Sequence, residues 1–311
     1  MARMVMELGI AVMLTLMAVV GQDPAVSVDA FAASDIAAKR RILNDIAASR
    51  SRVPVQDVIA LVRAGTRDGS ADVRRAALAA VMGRSMAARW AGTRGPEVGP
   101  APAGAPPPPP RATIPSEWRD DQRTLRDALY DDCVALLRTD AAVRHDALLA
   151  VGNLERPVRP DDPMSDRFVQ LLLDLYRNDR DARIRAEVVK TFGMIANNSE
   201  AIRAVLKDAL VDPTEAIRRE GLNAITPQAV GGTPKLSFED ARPTLLAALR
   251  DADAGVRLGA VRALNVFGAP ARADIPLLER IRDTDPDAQV RTSAQLAIEA
   301  IRRAIRDKPQ E

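Results

Sequence analysis

The amino-acid sequence predicts an all-α protein: an α-solenoid (right-handed superhelix) of about six helical hairpins, interrupted by a Pro-rich loop. The chain is rich in Ala, Leu, Val, Ile and Arg, and aromatic residues make up only 3% of it. This composition favours helices packed through small and aliphatic side chains over a β-sandwich. A short motif also recurs along the chain, mostly at intervals of 30 to 45 residues, which is typical of repeats built from two helices.

Composition and charge exclude several classes of protein. The 311 residues are 47% hydrophobic and 28% charged, which suits a soluble folded chain and not a disordered one. The formal net charge is only +2, so the protein as a whole attracts a polyanion weakly. A nucleic-acid partner is therefore not expected. With a single Cys (Cys133) and a single His (His145), the chain supports neither a disulfide framework nor a Cys/His zinc site. We therefore expect no metal, cofactor or catalytic residue.

The N-terminus resembles a secretory signal peptide. Arg3 lies in a short basic start, and an uncharged apolar run of thirteen residues follows from Leu8 to Val20. As a helix this run spans about 20 Å, short of the roughly 30 Å hydrocarbon core of a bilayer. We expect residues 1–32 to comprise a signal peptide and cleavage region, with cleavage after Gly21 or Ala32, and an exported mature chain, periplasmic or secreted, without a membrane span. The alternative is an uncleaved segment that tethers the protein to a membrane.

The remaining chain divides around a Pro-rich stretch. Residues 33–94 hold an N-terminal helix and the first repeat, residues 95–115 form the linker, and residues 116–307 hold repeats two to six. Gly95 to Pro115 contains nine of the 22 Pro residues, five of them consecutive, and predicts an exposed polyproline II segment. Such a segment serves either as a spacer or as a ligand for an aromatic-lined groove.

The recurring motif is an Asp, an aliphatic-Arg pair five and six residues later, and a small residue three after the Arg. A sixth copy, Val143-Arg144, has Arg138 where the Asp is expected. The six Arg residues follow one another at steps of 70, 41, 33, 39 and 34, and the longest step contains the Pro-rich stretch. The motif residues are Asp68 and Arg74, Arg144, Asp179 and Arg185, Asp212 and Arg218, Asp251 and Arg257, and Asp285 and Arg291.

Physical chemistry assigns a role to each motif position. Three residues before the aliphatic-Arg pair stands a residue suited to cap the second helix (helix B), and in four copies it is an Asp: Asp140, Asp181, Asp253 and Asp287. The aliphatic residue and an apolar residue seven after the Arg lie on one face, which we expect to meet the first helix (helix A). Gly83, Gly152, Gly193 and Gly268 are expected C-caps. We predict helices at 35–49, 54–65, 70–90, 117–138, 140–153, 164–178, 180–197, 199–211, 213–225, 239–251, 253–268, 271–283 and 286–307.

These residues resemble HEAT repeats, including the bacterial phycobilisome-lyase HEAT-like repeats, over roughly residues 54–306. The resemblance covers the turn Asp, the aliphatic-Arg pair and, in one unit, Pro243 in helix A. It implies that the Arg is a ladder residue that pairs with the turn Asp of its own repeat or of the next one. The alternative is that the Arg residues line an anion site.

The resemblance implies a non-catalytic scaffold that binds a protein partner through a concave surface of B helices. The alternative function is a HEAT-like enzyme such as a chromophore lyase or isomerase. Candidate contact positions lie one and five residues after the motif Arg, and the cations among them predict a mildly basic surface and an acidic or mixed partner. The candidates are Arg75, His145, Lys190, Arg219, Asn223, Leu258, Arg262 and Thr292.

Overall fold

The computed structural model describes residues 26–48, 53–90, 116–155, 165–195, 198–226 and 234–307, with the side chains of 86–90 and 116–120 excepted. The predicted apolar run Leu8 to Val20 and the Pro-rich linker 95–115 lie outside the described residues. The described chain forms two compact units, residues 1–158 and residues 159–311.

The described residues contain fourteen α-helices and no strand, which confirms the predicted all-α class. A short 3₁₀ helix, Ala269–Asp274, precedes the α-helix Ile275–Thr284, whereas the sequence predicts the start of an α-helix at 271. The helices are α1 (Val28–Ala33), α2 (Ile36–Ala47), α3 (Val55–Thr66), α4 (Ala71–Trp90), α5 (Ser116–Thr139), α6 (Arg144–Glu155), α7 (Asp166–Asn178), α8 (Ala182–Met194), α9 (Glu200–Ala209), α10 (Glu215–Ile225), α11 (Phe238–Ala248), α12 (Ala254–Phe267), α13 (Ile275–Thr284) and α14 (Ala288–Arg306).

Consecutive helices pair as hairpins, and all six predicted hairpins are present. Odd-numbered helices from α3 onward are A helices, and the even-numbered ones are B helices that carry the aliphatic-Arg pair. The aliphatic residue of each pair and the apolar residue seven after the Arg are at most 1% exposed, as the pattern predicts. These residues are Val73 and Val81, Val143 and Val151, Ile184 and Phe192, Ile217 and Ile225, Val256 and Leu264, and Val290 and Ile298.

A further position in helix B is also apolar and buried. Four residues after the motif Arg, five repeats place an aliphatic side chain that is at most 2% exposed: Leu78, Leu148, Val189, Leu222 and Val261. The last repeat instead places Gln295 there, half-buried, where it contacts Glu299 and Arg282 through its amide. At this position α14 is therefore polar where the other B helices are apolar.

A short seventh hairpin, α1 and α2, precedes the six predicted ones. Ser27 caps α1, and Phe31 on that helix is only 1% exposed. On α2, Lys39 donates to the carboxylate of Asp68 at 2.9 Å and so occupies the place of a motif Arg. Lys39 lies 35 residues before Arg74, a spacing within the repeat period, but a motif that requires Arg does not include a Lys at this position.

The predicted helix starts are correct where the cap is an Asp followed by a regular turn. Asp181, Asp253 and Asp287 are N-caps whose carboxylates accept backbone N–H groups. The prediction for Asp140 is wrong, because α6 begins only at Arg144 and Asp140 lies in the preceding turn. The predicted glycine C-caps are also mostly wrong: Gly268 ends α12 with a φ of 64°, whereas Gly83, Gly152 and Gly193 lie inside helices.

Candidate functional site

Each turn between helices A and B is built around the motif Asp. One oxygen of its carboxylate accepts the backbone N–H two residues later, at 2.7 to 3.0 Å in six turns, which fixes the chain for entry into helix B. The motif Arg of the same repeat donates back to the carbonyl oxygen of this Asp in five turns, at 2.7 to 3.0 Å. In the sixth, Asp140 takes the place of the missing Asp, two residues later than the pattern, and Arg144 donates to the Leu137 carbonyl.

In three repeats the Arg guanidinium also pairs with the turn Asp of the next repeat. Arg74 Nε lies 2.5 Å from Asp140 Oδ2, and both Arg218 with Asp251 and Arg257 with Asp285 form two N–O contacts of 2.8 and 3.0 Å. This resolves the alternatives left open by the sequence: the backbone contact is within a repeat, and the ion pair is between repeats. We call these contacts the Asp–Arg ladder. Because Arg74, Arg218 and Arg257 are neutralised in this way, those three do not form an anion site.

The ladder sets the ionisation of its members. Burial disfavours the charged Asp285 carboxylate, but hydrogen bonds from Arg257 and from the Asp287 N–H outweigh burial and hold its pKa below the usual value. The pKa of Asp251 is lowered in the same way by Arg218 and the Asp253 N–H. Asp251 and Asp285 are therefore ionised partners and not proton donors at neutral pH.

One junction of the second unit lacks this ion pair. Arg185 donates to the Asp179 carbonyl at 3.0 Å, but within the described residues no carboxylate lies within 4 Å of its guanidinium. Near this position, burial and the carboxylates of Asp212 and Asp208 raise the pKa of Tyr176 to about 12, partly offset by Arg185. The junction between the α7–α8 and α9–α10 hairpins therefore lacks the Arg–Asp ion pair that is present at the next two junctions.

A second set of ion pairs crosses the repeats along the A helices. Arg242 on α11 makes two contacts with Asp274, at 2.6 and 3.1 Å, and Asp274 is only 3% exposed. The matching pairs are Arg63 with Asp132 at 2.9 Å and Lys207 with Asp240 at 2.7 Å. The three junctions that carry these pairs are therefore joined on two sides, by the ladder and by the A-helix pairs.

The predicted contact positions lie on the outer faces of the B helices. Seven of the eight side chains are exposed, and Leu258 is half-buried. Three of the cations are neutralised by neighbours, so the surface is less basic than the sequence predicts. The pairs are Arg75 with Asp72 at 3.1 Å and with Asp146 at 3.2 Å, Lys190 with Glu187 at 3.2 Å, and Arg219 with Asp253 at 3.4 Å. The other predicted positions are His145, Asn223, Leu258, Arg262 and Thr292.

A groove of about 480 Å³ opens between α8 and α10. Of the predicted contact residues it contains Lys190 and Asn223, whereas the other six do not line it. Of the six lining residues that the sequence interpretation missed, Glu187 and Glu220 lie two residues after the motif Arg, one position around the helix from the predicted row. The lining consists of Arg183, Ala186, Glu187, Lys190, Met194, Glu220, Asn223 and Ala224.

Small residues allow the two helices to approach and form the groove floor. A Cβ atom on Gly193 would lie 2.6 Å from Ala224 Cα, so α8 and α10 can be this close only because residue 193 has no side chain. Ala224 at this contact and Ala186, about two turns earlier on α8, line the groove with methyl groups. The floor is therefore shallow and apolar.

Charged groups line the walls of the groove. The Lys190 ammonium donates to both carboxylate oxygens of Glu187, at 3.2 Å each. By contrast, the side chains of Arg183 and Glu220 make no hydrogen bond or ion pair with any part of the chain that the structure describes. Met194 is 44% exposed at the C-terminal end of α8. The groove thus offers one cation, one carboxylate and an apolar surface to a ligand.

The remaining candidates for chemistry have ordinary surroundings. Cys133 is buried, and burial together with Asp132 raises the pKa of its thiol to about 12, which opposes formation of the reactive thiolate. Among the described residues, no three His, Cys, Asp or Glu side chains are grouped to bind a metal ion. In the same ranges, no helix has both the length and the apolar character needed to cross a bilayer.

Comparison with known proteins places HEAT repeats in this chain. Residues 222–299 match the family model for HEAT repeats. Similar solved structures include the archaeal HEAT-like repeats protein from Thermococcus onnurineus NA1 (14% identity, 86% of this chain and 98% of that chain, TM-score 0.47). An engineered protein is 18% identical over 80% of this chain and 97% of its own, with a TM-score of 0.45. A computationally designed armadillo repeat protein for modular peptide recognition is 17% identical over 85% and 92%, with a TM-score of 0.31. No curated protein sequence matches the chain.

Proposed function

We propose that this chain, in which residues 222–299 are HEAT repeats, is a non-catalytic scaffold that binds a partner protein through its B helices. The contact site is the groove between α8 and α10. The observation that carries the proposal is the groove itself, an open depression with an apolar floor and with Arg183 and Glu220 unpaired among the described residues.

The chemistry of the groove suits a protein surface better than a small molecule. Sites for small ligands enclose most of the ligand within apolar and aromatic walls. Here the lining residues include no aromatic side chain, and four of the eight are charged. Apolar side chains of a partner can lie on Ala186 and Ala224. Charged side chains of the same partner can then pair with Arg183 and Glu220.

We also propose that the protein is exported and acts outside the cytoplasm. Support comes from the apolar run Leu8 to Val20 and its basic start. The single buried Cys, which needs no reducing environment, is compatible with an oxidising compartment.

The scaffold proposal is tested by blocking the groove. Ala186→Trp places a large side chain over the floor at a half-buried position, and Ala288→Trp places one at the exposed start of α14 as a matched control. We expect the wild-type mature chain and the control to capture the same partner from a periplasmic or secreted fraction, and the blocked variant to lose it.

Three outcomes would contradict the proposal. Equal capture by the blocked variant would exclude the groove as the contact site. Capture that is lost only on deletion of residues 95–115 would assign binding to the Pro-rich segment instead. A chromophore that co-purifies with the mature chain would favour the lyase or isomerase alternative.

A further inference from the structure

We infer that the α8–α10 groove recognises a dipolar partner segment: an extended peptide that carries an acidic and a basic residue about three residues apart, with small apolar residues between them. This inference rests on the proposed function and adds the chemistry of the partner. It replaces the sequence-based expectation of an acidic or mixed partner, which depended on cations of which Arg75, Lys190 and Arg219 prove to be paired.

The two unpaired groups of the groove have opposite charge. Lys190 is held by Glu187, so its charge is largely compensated before a partner arrives. The Arg183 guanidinium is exposed and the Glu220 carboxylate is half-buried, and neither has a partner in the described residues. A half-buried carboxylate without a counter-ion is only partly solvated, and a cation at this site therefore stabilises it.

The spacing of these two groups follows from the helix contact at Gly193. Gly193 is level with Ala224, since a Cβ on the glycine would lie 2.6 Å from Ala224 Cα. Both helices are B helices and run in the same direction, so Glu220, four residues before Ala224, is level with Val189. Arg183 lies six residues before Val189, which is about 9 Å along the helix axis at 1.5 Å per residue.

An extended peptide matches this separation with three residues. At about 3.3 Å per residue, three steps of an extended chain cover about 10 Å. A peptide running along the groove therefore places an acidic side chain at Arg183 and a basic one at Glu220. Between these two contacts the peptide lies over the methyl group of Ala186, which favours small or aliphatic side chains there.

The probe is a fluorescein-labelled peptide with the core Glu-Ala-Leu-Arg, flanked by Gly and Ser, titrated with the full mature chain in an anisotropy assay. Three control peptides carry Gln-Ala-Leu-Gln, Glu-Ala-Leu-Glu or Arg-Ala-Leu-Arg. A peptide with the charges in reverse order is not a control, because an extended chain can bind in either direction.

We expect the dipolar peptide to bind more tightly than all three controls. Each ion pair at a partly exposed site contributes about 0.2 to 1 kcal/mol, so Glu220→Gln and Arg183→Gln should each weaken binding by about threefold. The matched variants Glu200→Gln and Arg280→Gln remove exposed charges elsewhere in the same unit and should leave the affinity unchanged. Added salt should weaken the dipolar peptide more than the neutral one.

Several results would overturn the inference. These are a wild-type Kd for the dipolar peptide weaker than about 1 mM, equal affinity for the neutral peptide, or equal affinity in the Glu220→Gln and Arg183→Gln variants. If Ala186→Trp abolishes partner capture while the dipolar peptide fails to bind, the scaffold proposal stands and only the partner chemistry is wrong. If Ala186→Trp leaves capture unchanged, the scaffold proposal itself fails.

Discussion

Arg257 in one repeat and Asp285 in the next form a buried bidentate ion pair, with N–O distances of 2.8 and 3.0 Å. Their side chains are 11% and 5% exposed, which makes this the most enclosed contact of the Asp–Arg ladder. The same guanidinium donates to the carbonyl oxygens of Asp251 and Ala252 in its own turn. One side chain therefore fixes a turn and joins two repeats.

Removal of this guanidinium should destabilise the array strongly. Arg257→Met leaves a buried carboxylate without its counter-ion, which typically costs about 3 kcal/mol or more. Arg185→Met is the matched control, because Arg185 has the same motif position but no ion pair to a described residue. Denaturant unfolding of both variants checks this prediction, and a loss at Arg185 as large as that at Arg257 would contradict the role of the ladder.

The ladder should also make stability depend on pH in the acid range. The folded-state pKa values of Asp251 and Asp285 lie below the 3.8 of a free carboxyl, so each contributes stability above that pH and loses it as the pH falls towards the folded pKa. We expect the unfolding midpoint to fall steeply below about pH 4. Asp285→Asn should be less stable at neutral pH and show a shallower acid decline; parallel curves for the two proteins would disprove this.

The close approach of α8 and α10 should not tolerate a methyl group. In Gly193→Ala the new Cβ would meet Ala224 Cα at 2.6 Å, and separation of the helices should cost about 1 to 3 kcal/mol. Gly69→Ala is the control, because nothing lies within 4 Å of a Cβ at that position. Thermal unfolding of both variants tests the contact. Unchanged stability of Gly193→Ala would mean that the helices are not held this close in solution.

The core face of helix B is tested by two identical substitutions on α12. Val256 is fully buried, so Val256→Asp places an unpaired carboxylate in the core and should cost several kcal/mol. Val266 is 40% exposed on the same helix, and Val266→Asp should change stability by less than about 1 kcal/mol. A comparable loss in both variants, measured by denaturant unfolding, would show that the assignment of faces is wrong.

The position of Phe31 predicts where an exported chain is cleaved. Phe31 is 1% exposed in α1, and the Lys39 ammonium lies 5.9 Å from its ring centroid. Cleavage after Ala32 would remove this packed side chain, whereas cleavage after Gly21 would retain the whole α1–α2 hairpin. N-terminal sequencing of protein from the native host should therefore find a start before Ser27, and a start at Ala33 would refute this expectation.

The sequence by itself determined the helical hairpins and their buried faces. Apolar residues eight apart on helix B and Asp caps at its start depend only on the geometry of a single helix, and this periodicity is visible in one dimension. For the same reason Val256 and Leu264 could be assigned to the core, and Asp181, Asp253 and Asp287 to the caps, before the structure was considered.

Contacts between repeats were decided only by the tertiary structure. Whether Arg218 pairs with Asp212 or Asp251, and that Asp140 replaces a missing Asp, depends on how one hairpin stacks on the next. Gly193 illustrates the limit: the sequence shows a glycine near a helix end, which suits a C-cap, whereas the structure uses it to bring Ala224 close. The groove arises from that contact between chain segments 31 residues apart. A local sequence pattern cannot predict which residues so far apart in the chain come into contact.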